Sequence, residues 1–527
     1  MIGEITSVLC ALTLVFYFWI QWKWTYWTKR GIYQPKPMFP FGTFYTIFTQ
    51  KMHMAELFEM HAKETEKLPM YGGYFLASPT LVIRDADLVR DVLVKDFEHF
   101  VDRAPKSFMK MGKSNNRNTK IWFRQMTNAS DQDWKDLRST FSPIFTSGKM
   151  KSMLVFMHET CKQLIKGIEK YEEKNEEFEI KDLLGRYSMD TIASCAFGVN
   201  AESFTNEKSK FVEYAKNLFL QRAGDAFKMI IFLLPGGYHI LNALNVSLTK
   251  DTETDFFYQA ILSSLNHRRQ DNVRRNDLID LMLDAIKGEG MEEDVDDEDQ
   301  FHKDAKLNHT SPKKNLDELS IVATAMVFLV AGYETTGTTL AYALYEMSKY
   351  PEIQEKLHSE IENILNGDPN KEISYDDLLS MTYLDQVLNE TLRFHTPGSV
   401  ITRSCNKDYK IPNSEVTVQK DDSLWINVMA LHFDPKHYEN PNVFDPEHFS
   451  KEAKAKRHQY AFMPFGLGPR GCIGMRFALL EAKLALANIV RKFVLKPSSK
   501  TTEPIVLDPK TAFAYPKDGL FINVQRR

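Results

Sequence analysis

The sequence predicts a mainly α protein with small β-sheets, an α+β fold built as one large domain behind a single N-terminal membrane helix. Three observations carry that expectation. Helical patterning dominates the middle of the chain to about residue 395, short alternating stretches flank it at 69–84 and 399–427, and no charged residue occurs between Ile5 and Trp22. Apolar periods near 3.6 and 2 distinguish helix from strand in these segments.

Length and charge narrow the class. At 527 residues, 43% hydrophobic and 12% aromatic, the chain can bury a sizeable core, which excludes collagen-like, disordered and disulfide-stapled classes. Lys and Arg number 66 against 70 Asp and Glu, a net charge of −4 spread along the chain, so there is no nucleic-acid footprint. The 5 cysteines (Cys10, Cys161, Cys195, Cys405, Cys472) form no C-x-x-C pair. Neither a zinc ribbon nor a disulfide framework is indicated, and a reducing compartment is the default.

The elements follow in order. Residues 1–24 read as a transmembrane anchor, because the eighteen uncharged residues of Ile5–Trp22 span roughly 27 Å as a helix, close to a bilayer core of about 30 Å. Trp19, Trp22, Trp24, Tyr26 and Trp27 suit an interfacial belt, and Lys23, Lys29 and Arg30 place the bulk of the chain on the cytosolic side. The alternative is a cleaved signal peptide, but no basic stretch precedes the apolar run and no small-residue cleavage site follows it. Pro35, Pro37, Pro40 and Gly42 make 25–42 a stiff, basic, Pro-rich hinge, and 43–527 is the body.

Within the body, 69–84 reads as a hairpin, and Ser130 with Asp133 as a helix N-cap opening W-K-D-L-R. Residues 288–306, with nine acidic residues and two Lys, read as a solvated mobile loop. A nearly all-apolar helix from about Leu316 to Lys349, with Asn315 and Glu318 as its cap, is expected to run through the middle of the domain. Pro351 starts the next helix, which ends near Asn366 and Gly367. Residues 399–427 then alternate as short strands.

The chemistry concentrates in F-G-L-G-P-R-G-C-I-G (465–474), which precedes a strongly helical run. Its G-L-G-P-R-G satisfies the dinucleotide expression G-x-G-x-x-G. That fingerprint needs a buried strand before it, a second strand about 30 residues on, and an acid near that strand's end. Here Pro464 interrupts the preceding segment, and the strand-like F-V-L-K ends in Lys496 where an acid is required. The other reading centres on the cysteine. Gly466, Gly468, Gly471 and Gly474 permit close backbone approach and let amide N–H groups face a thiolate. Cys472 opens a helix whose dipole favours the anion, and Arg470 is placed to reach a carboxylate beside the sulfur. An isolated Cys is usually a small buried hydrophobe. Against that, F-x-x-G-x-R-x-C-x-G is met at every fixed position by Phe465, Gly468, Arg470, Cys472 and Gly474; by composition this arises by chance on the order of once in ten thousand chains of this length.

With these residues the sequence resembles the cytochrome P-450 family of haem-thiolate monooxygenases. The resemblance implies haem b (iron protoporphyrin IX), with Cys472 as axial thiolate ligand and Phe465, Arg470 and Gly474 beside it. Further motifs carry the same resemblance. A-G-Y-E-T-T (331–336) places Glu334 and Thr335 inside the apolar helix. By themselves these are equally a Thr bonded back to the preceding turn and a Glu reaching water; in the family they are the acid–alcohol pair that handles protons for dioxygen. Glu390 and Arg393, alone an ordinary surface ion pair, resemble the E-x-x-R brace of the Cys-loop. Its usual third member is an Arg, where this chain has His448, neutral near pH 7 and without the Arg fork, which implies a weaker brace. Trp134 and Arg138, by themselves a cation–π pair, are implied haem-propionate contacts together with Arg403 and Arg470. D-F-E-H-F-V-D-R (96–103) is similar to the microsomal clan of vertebrate drug-oxidising and insect detoxifying enzymes.

The rest follows from that resemblance. With the nucleotide fingerprint rejected, no NADPH or flavin site is evident, so NADPH-derived electrons are expected from a membrane-bound NADPH–cytochrome P-450 reductase. Lys135, Lys149, Lys151 and Arg476 are its candidate basic contacts, and cytochrome b5 is compatible as a second donor. One atom of O2 would enter a lipophilic small molecule of xenobiotic, steroid or fatty-acid type. Phe328, Ala331, Thr335, Val400 within 396–401, the 101–130 loop and the aromatics Phe204, Phe219, Phe227 and Phe232 are the candidate pocket. The implied location is the endoplasmic reticulum membrane, in contact with its lipid, with the catalytic domain on the cytosolic face. Two other classes stay open: a reductase-independent haem-thiolate isomerase of peroxides, against which Glu334–Thr335 counts, and a non-catalytic membrane-anchored haem-binding protein.

Overall fold

A 32-residue helix, Glu318–Lys349, runs through the centre of the molecule. In this computed structural model, residues 2–104, 108, 110–199, 201–206, 209–220, 223–233, 236–271, 274–275, 277–287 and 316–527 are described. The acidic segment 288–306 and the Asn315 cap lie outside them. Among the described residues, two helices are long and apolar enough to cross a membrane. The N-terminal one has 6% of its apolar window buried and the central one 72%, so the central helix is a core element, as its all-round apolar surface requires. Its N-cap is Asp317 rather than Asn315 or Glu318: the Asp317 carboxylate accepts the Ser320 amide at 3.2 Å, while Glu318 pairs outward with Arg269 at 2.7 Å. An acid one residue before the helix reaches its free amides better than one inside the first turn.

The central helix crosses the buried helix Ile180–Phe197 at Gly185 and Gly337. A Cβ on Gly337 would lie 3.3 Å from the Gly185 Cα, so the two backbones touch there and the helices interlock. That crossing sets Lys181 of one helix beside Glu334 of the other.

Four strands form a mixed sheet in the order Met70–Phe75, Ser78–Ile83, Ser423–Asn427, Val400–Ser404. The first two are the expected hairpin, and the last two occupy the 399–427 region. The C-terminal helix Met475–Lys492 follows the Cys-loop and runs into Phe493–Pro497, which pairs antiparallel with Phe521–Arg526. No strand precedes the loop and its successor is not parallel to anything, so the geometry that a dinucleotide fingerprint requires is missing among the described residues. Pro351 opens the helix Pro351–Leu365, closed by Asn366 in the left-handed conformation. Ser130 sits at the N-cap of Asp131–Phe141, but its hydroxyl caps nothing; the Asp102 carboxylate takes the Asp131 amide at 2.9 Å instead.

The N-terminal helix Ile2–Lys23 exposes Leu12, Val15, Phe18 and Trp22, as a lipid-facing helix should. The belt reading needs correction for two of its members. Trp24 and Trp27 are buried in the body, where their indole N–H groups donate to the carbonyls of Leu76 (2.8 Å) and Gly73 (3.1 Å) on the hairpin. An indole satisfies its N–H equally well at a headgroup or on an exposed strand carbonyl. The helix is therefore pinned to the hairpin at its end.

Candidate active site

The 465–474 segment folds as a tight loop against the rest of the body. Gly466 and Gly468 hold φ of 72° and 68°. A Cβ on Gly468 would stand 1.8 Å from the Leu93 carbonyl, which a π-helical turn at Asp91–Lys95 presents to it, so only glycine fits. The Cys472 amide donates to the Phe465 carbonyl at 2.8 Å and the Gly471 amide to Gly468 at 2.8 Å, closing the loop on itself.

Cys472 is exposed by surface area, yet burial dominates its titration. Both hold if the sulfur lines an internal cleft. Burial pushes the thiol up, against the Gly474 amide and the charges of Arg138 and Arg103, which pull it down. The expected amide-to-sulfur contact is thus present through Gly474, but it does not by itself make an anion. A bound cation would, because metal coordination deprotonates a thiol outright.

The charges of Arg138 and Arg103 bear directly on that sulfur, and those of Arg403 and Arg470 bear on Arg103. Arg138 donates to the Gly471 carbonyl at 2.8 Å and Arg103 to the Arg470 carbonyl at 3.1 Å, while Arg403 donates to its neighbour Thr402 at 2.8 Å and keeps a buried Nε without a partner. Burial, aggravated by Arg103, lowers Arg403 to about 9; burial, opposed by Cys472, lowers Arg138 to about 10. Like charges crowded out of water need an anionic partner with two carboxylate arms or their equivalent, and haem propionates meet that need. The residues fit the group.

Arg470 is more committed than expected. It donates to the carbonyls of Val101 (2.9 Å), Met126 (3.2 Å) and Ala129 (2.6 Å), and its guanidinium lies 4.1 Å from the centroid of Trp134. The cation over Trp134 is therefore Arg470 and not Arg138. Arg103 was missed: its run, 96–103, was read for its resemblance, and nothing local marks which Arg faces inward.

Behind the loop, Arg393 and Glu390 are fully buried and joined twice, at 2.7 and 2.6 Å, far from an ordinary surface pair. Arg393 also donates to the carbonyls of His432 (2.9 Å), Pro441 (2.8 Å) and Val443 (3.2 Å). His448 faces Glu390 Oε1 through Nδ1 at 3.1 Å and the Glu439 carbonyl through Nε2 at 2.5 Å. Two acceptors demand two N–H donors, which only the imidazolium has. Burial works against that charge, but the bonds to Glu390 and Glu439 outweigh it and raise the pKa. The expectation of a neutral, weakly held His448 is therefore revised. Arg457, unforeseen, donates to the His448 carbonyl at 2.8 Å and supplies a guanidinium nearby. A raised folded pKa stabilises the native state below the unfolded value near 6.5 and loses that contribution as pH rises through the folded value. The thermal midpoint should therefore fall as pH rises above neutral, and His448→Arg, charged throughout, should flatten the slope.

On the central helix, Thr335 donates to the Ala331 carbonyl at 2.8 Å, which leaves its oxygen lone pairs as acceptors. Glu334 is buried but does not reach water: it forms an ion pair with Lys181, whose ammonium lies 4.1 Å over the Tyr515 ring. Phe328 packs edge-on against Phe141 (5.4 Å) and Phe145 (5.9 Å), half-buried Ala331 lies one turn before Thr335, and Val400 packs with the cluster around Phe44. Of the 204–232 aromatics, Phe219 meets Phe513 and Phe232 meets Phe108, whereas Phe227 is 64% exposed. Among the basic candidates, Lys135 pairs with Glu98 at 3.1 Å and Lys151 with Asp376 at 3.5 Å.

The family model for cytochrome P450 matches residues 34–524. The chain is 33% identical to cytochrome P450 6B6 of Helicoverpa armigera over 526 residues, 99% of this chain and 98% of that protein. It is 32% identical to cytochrome P450 6k1 of Blattella germanica, covering 97% and 95%, and 29% identical to the probable cytochrome P450 9f2 of Drosophila melanogaster, covering all of both.

Proposed function

The chain belongs to the cytochrome P450 family, and from that premise we propose that it inserts one oxygen atom of O2 into a lipophilic small molecule, with electrons from a membrane-bound NADPH reductase. The observation that carries this reading is Cys472, exposed on a tight glycine loop with the buried guanidiniums of Arg138 and Arg103 acting on its sulfur. A haem bound there supplies the chemistry of dioxygen reduction and cleavage. Cys472 would be its ligand, with Phe465 and Gly474 shaping the loop, and Arg138, Arg403 and Arg103 would hold its carboxylates. Trp134 and Arg470 keep the loop in place.

The protein's own part in catalysis is proton handling and exclusion of water. The Thr335 hydroxyl, tied to Ala331, accepts a hydrogen bond rather than giving one, and so steadies a protonated group above it. Glu334 is paired with Lys181 one helix away; once that pair opens, its carboxylate can accept a proton from water and pass it on towards Thr335. Phe328, Ala331 and Val400 supply apolar walls. The N-terminal helix would anchor the protein in the endoplasmic reticulum membrane, with the body on the cytosolic side. Lys149 and Arg476, which have no acidic partner among the described residues, are the remaining basic contacts for the reductase.

The test is reductase-dependent NADPH consumption stimulated by lipophilic compounds that also shift the ferric spectrum. Peroxide rearrangement without reductase would identify the isomerase, and haem binding without turnover would leave a sensor. Thr335→Ala should raise the fraction of electrons lost as hydrogen peroxide several-fold; tight coupling in that variant would remove the role assigned to its hydroxyl.

A further inference from the structure

His432 lies outside every motif that carries the family resemblance. It sits at the end of the short helix Val428–His432, which follows the strand Ser423–Asn427, and its side chain is fully buried. Its Nε2 accepts the Met463 amide at 3.1 Å, so in the neutral ring the proton is on Nδ1, which faces the Arg393 carbonyl at 3.1 Å. Neutrality is enforced by burial and by the nearby Arg393 charge, which push the imidazole down to about 3. The Phe462 ring stacks on it at 5.5 Å.

These contacts join two structures. On one side is the brace: the Arg393 guanidinium donates to the His432 carbonyl at 2.9 Å while the His432 ring donates back to the Arg393 carbonyl, a reciprocal pair. On the other is the Cys-loop, where the Met463 carbonyl receives the Gly466 amide at 3.0 Å and the Phe465 carbonyl receives the Cys472 amide at 2.8 Å. The hydrogen bonds run from Arg393 through one imidazole to the first residues of the loop that carries Cys472.

We infer that His432 is a positioning residue that couples the Glu390–Arg393 brace to the Cys472 loop, acting through its acceptor nitrogen on the Met463 amide. The inference rests on the haem-thiolate reading of Cys472. An imidazole is used because one planar ring presents a donor and an acceptor on opposite edges, about the span between the two backbone groups, and holds both without rotamer freedom.

The two amide side chains divide that function. In His432→Asn the carboxamide reaches only where Nδ1 stood and keeps the bond to Arg393; in His432→Gln it reaches the position of Nε2 and keeps the bond from Met463. His432→Phe keeps ring volume and loses both. In the full-length haem-loaded protein, loss of the thiolate-type band of the reduced carbonyl complex under mild warming is expected to be about tenfold faster in the Asn and Phe variants, the consequence of a buried amide left without an acceptor. The Gln variant should stay within about threefold of the parent. Hydrogen exchange at the Met463 amide should rise in Asn and Phe and stay protected in Gln. Equal behaviour of Asn and Gln, or a Phe variant as durable as the parent, overturns the inference. A parent that never shows the thiolate band sinks the haem-thiolate reading instead, and the exchange pattern then still decides whether His432 holds the loop.

Discussion

Cys472→Ala is expected to eliminate the thiolate-type Soret band of the reduced carbonyl complex completely while leaving the protein folded. Cys472 is exposed rather than packed among side chains, so truncation removes few contacts, and a change in stability within about 1 kcal/mol is expected. No other cysteine can substitute. Burial holds the Cys161 and Cys195 thiols as neutral groups, Cys161 pushed up to about 12, in contact with the carbonyls of Leu484 (4.0 Å) and Met153 (3.6 Å). Cys405, also pushed up to about 12 by burial, donates to the Lys407 carbonyl at 2.7 Å. Cys10 lies on the N-terminal helix, far along the chain from the body. Cys161→Ala and Cys195→Ala should keep the band. A Cys472→Ala protein that retained it would place the ligand elsewhere and remove the basis of the proposed function.

The loop itself was legible in sequence because its constraints are local. The left-handed glycines at 466 and 468, the closing bond from Cys472 to Phe465 and the helix that starts at Met475 all lie within a few residues of the sulfur. The central helix was legible for a different reason, since an apolar surface on all sides leaves burial as the only solution in water. What stayed hidden was the partner of each polar group. Lys181 meets Glu334 across 153 positions, and Arg470 meets the Val101 carbonyl across 369. Spacing rules see neighbours three and four apart on one helix; they carry no information about which distant residue fills a buried acceptor. Trp24 and Trp27 illustrate the same limit, because an indole at the end of an apolar helix has the same composition signal whether it meets lipid or a strand carbonyl. His448 was misjudged for a related reason. Its ordinary pKa describes an imidazole in water, and of the two acceptors that hold it here the motif indicates Glu390 but not the Glu439 carbonyl.

Arg393→Lys should be nearly as damaging as Arg393→Ala, although it preserves the charge. If the brace were held by Coulomb attraction alone, an ammonium next to Glu390 would serve. The geometry asks for more: the guanidinium makes two bonds to Glu390 and one each to the carbonyls of His432, Pro441 and Val443, from a site with no solvent access on either partner. Lys has three donors on a single nitrogen and cannot reach five acceptors arranged around a planar fork. Arg393→Ala leaves a buried carboxylate uncompensated, a loss of about 3–5 kcal/mol, against a total stability of about 5–15 kcal/mol for a folded domain. For Lys, at least two of the five acceptors stay without a donor, at about 1–3 kcal/mol each. Glu390 is also the acceptor for His448 and for the Asp445 amide at 2.9 Å, so its displacement spreads to the segment that precedes the Cys-loop. Denaturant midpoints read by circular dichroism, taken with the fraction of haem held through sulfur, measure both effects together. An Arg393→Lys protein matching the parent in both would show that the charge alone supports the loop and that the five directed bonds are incidental.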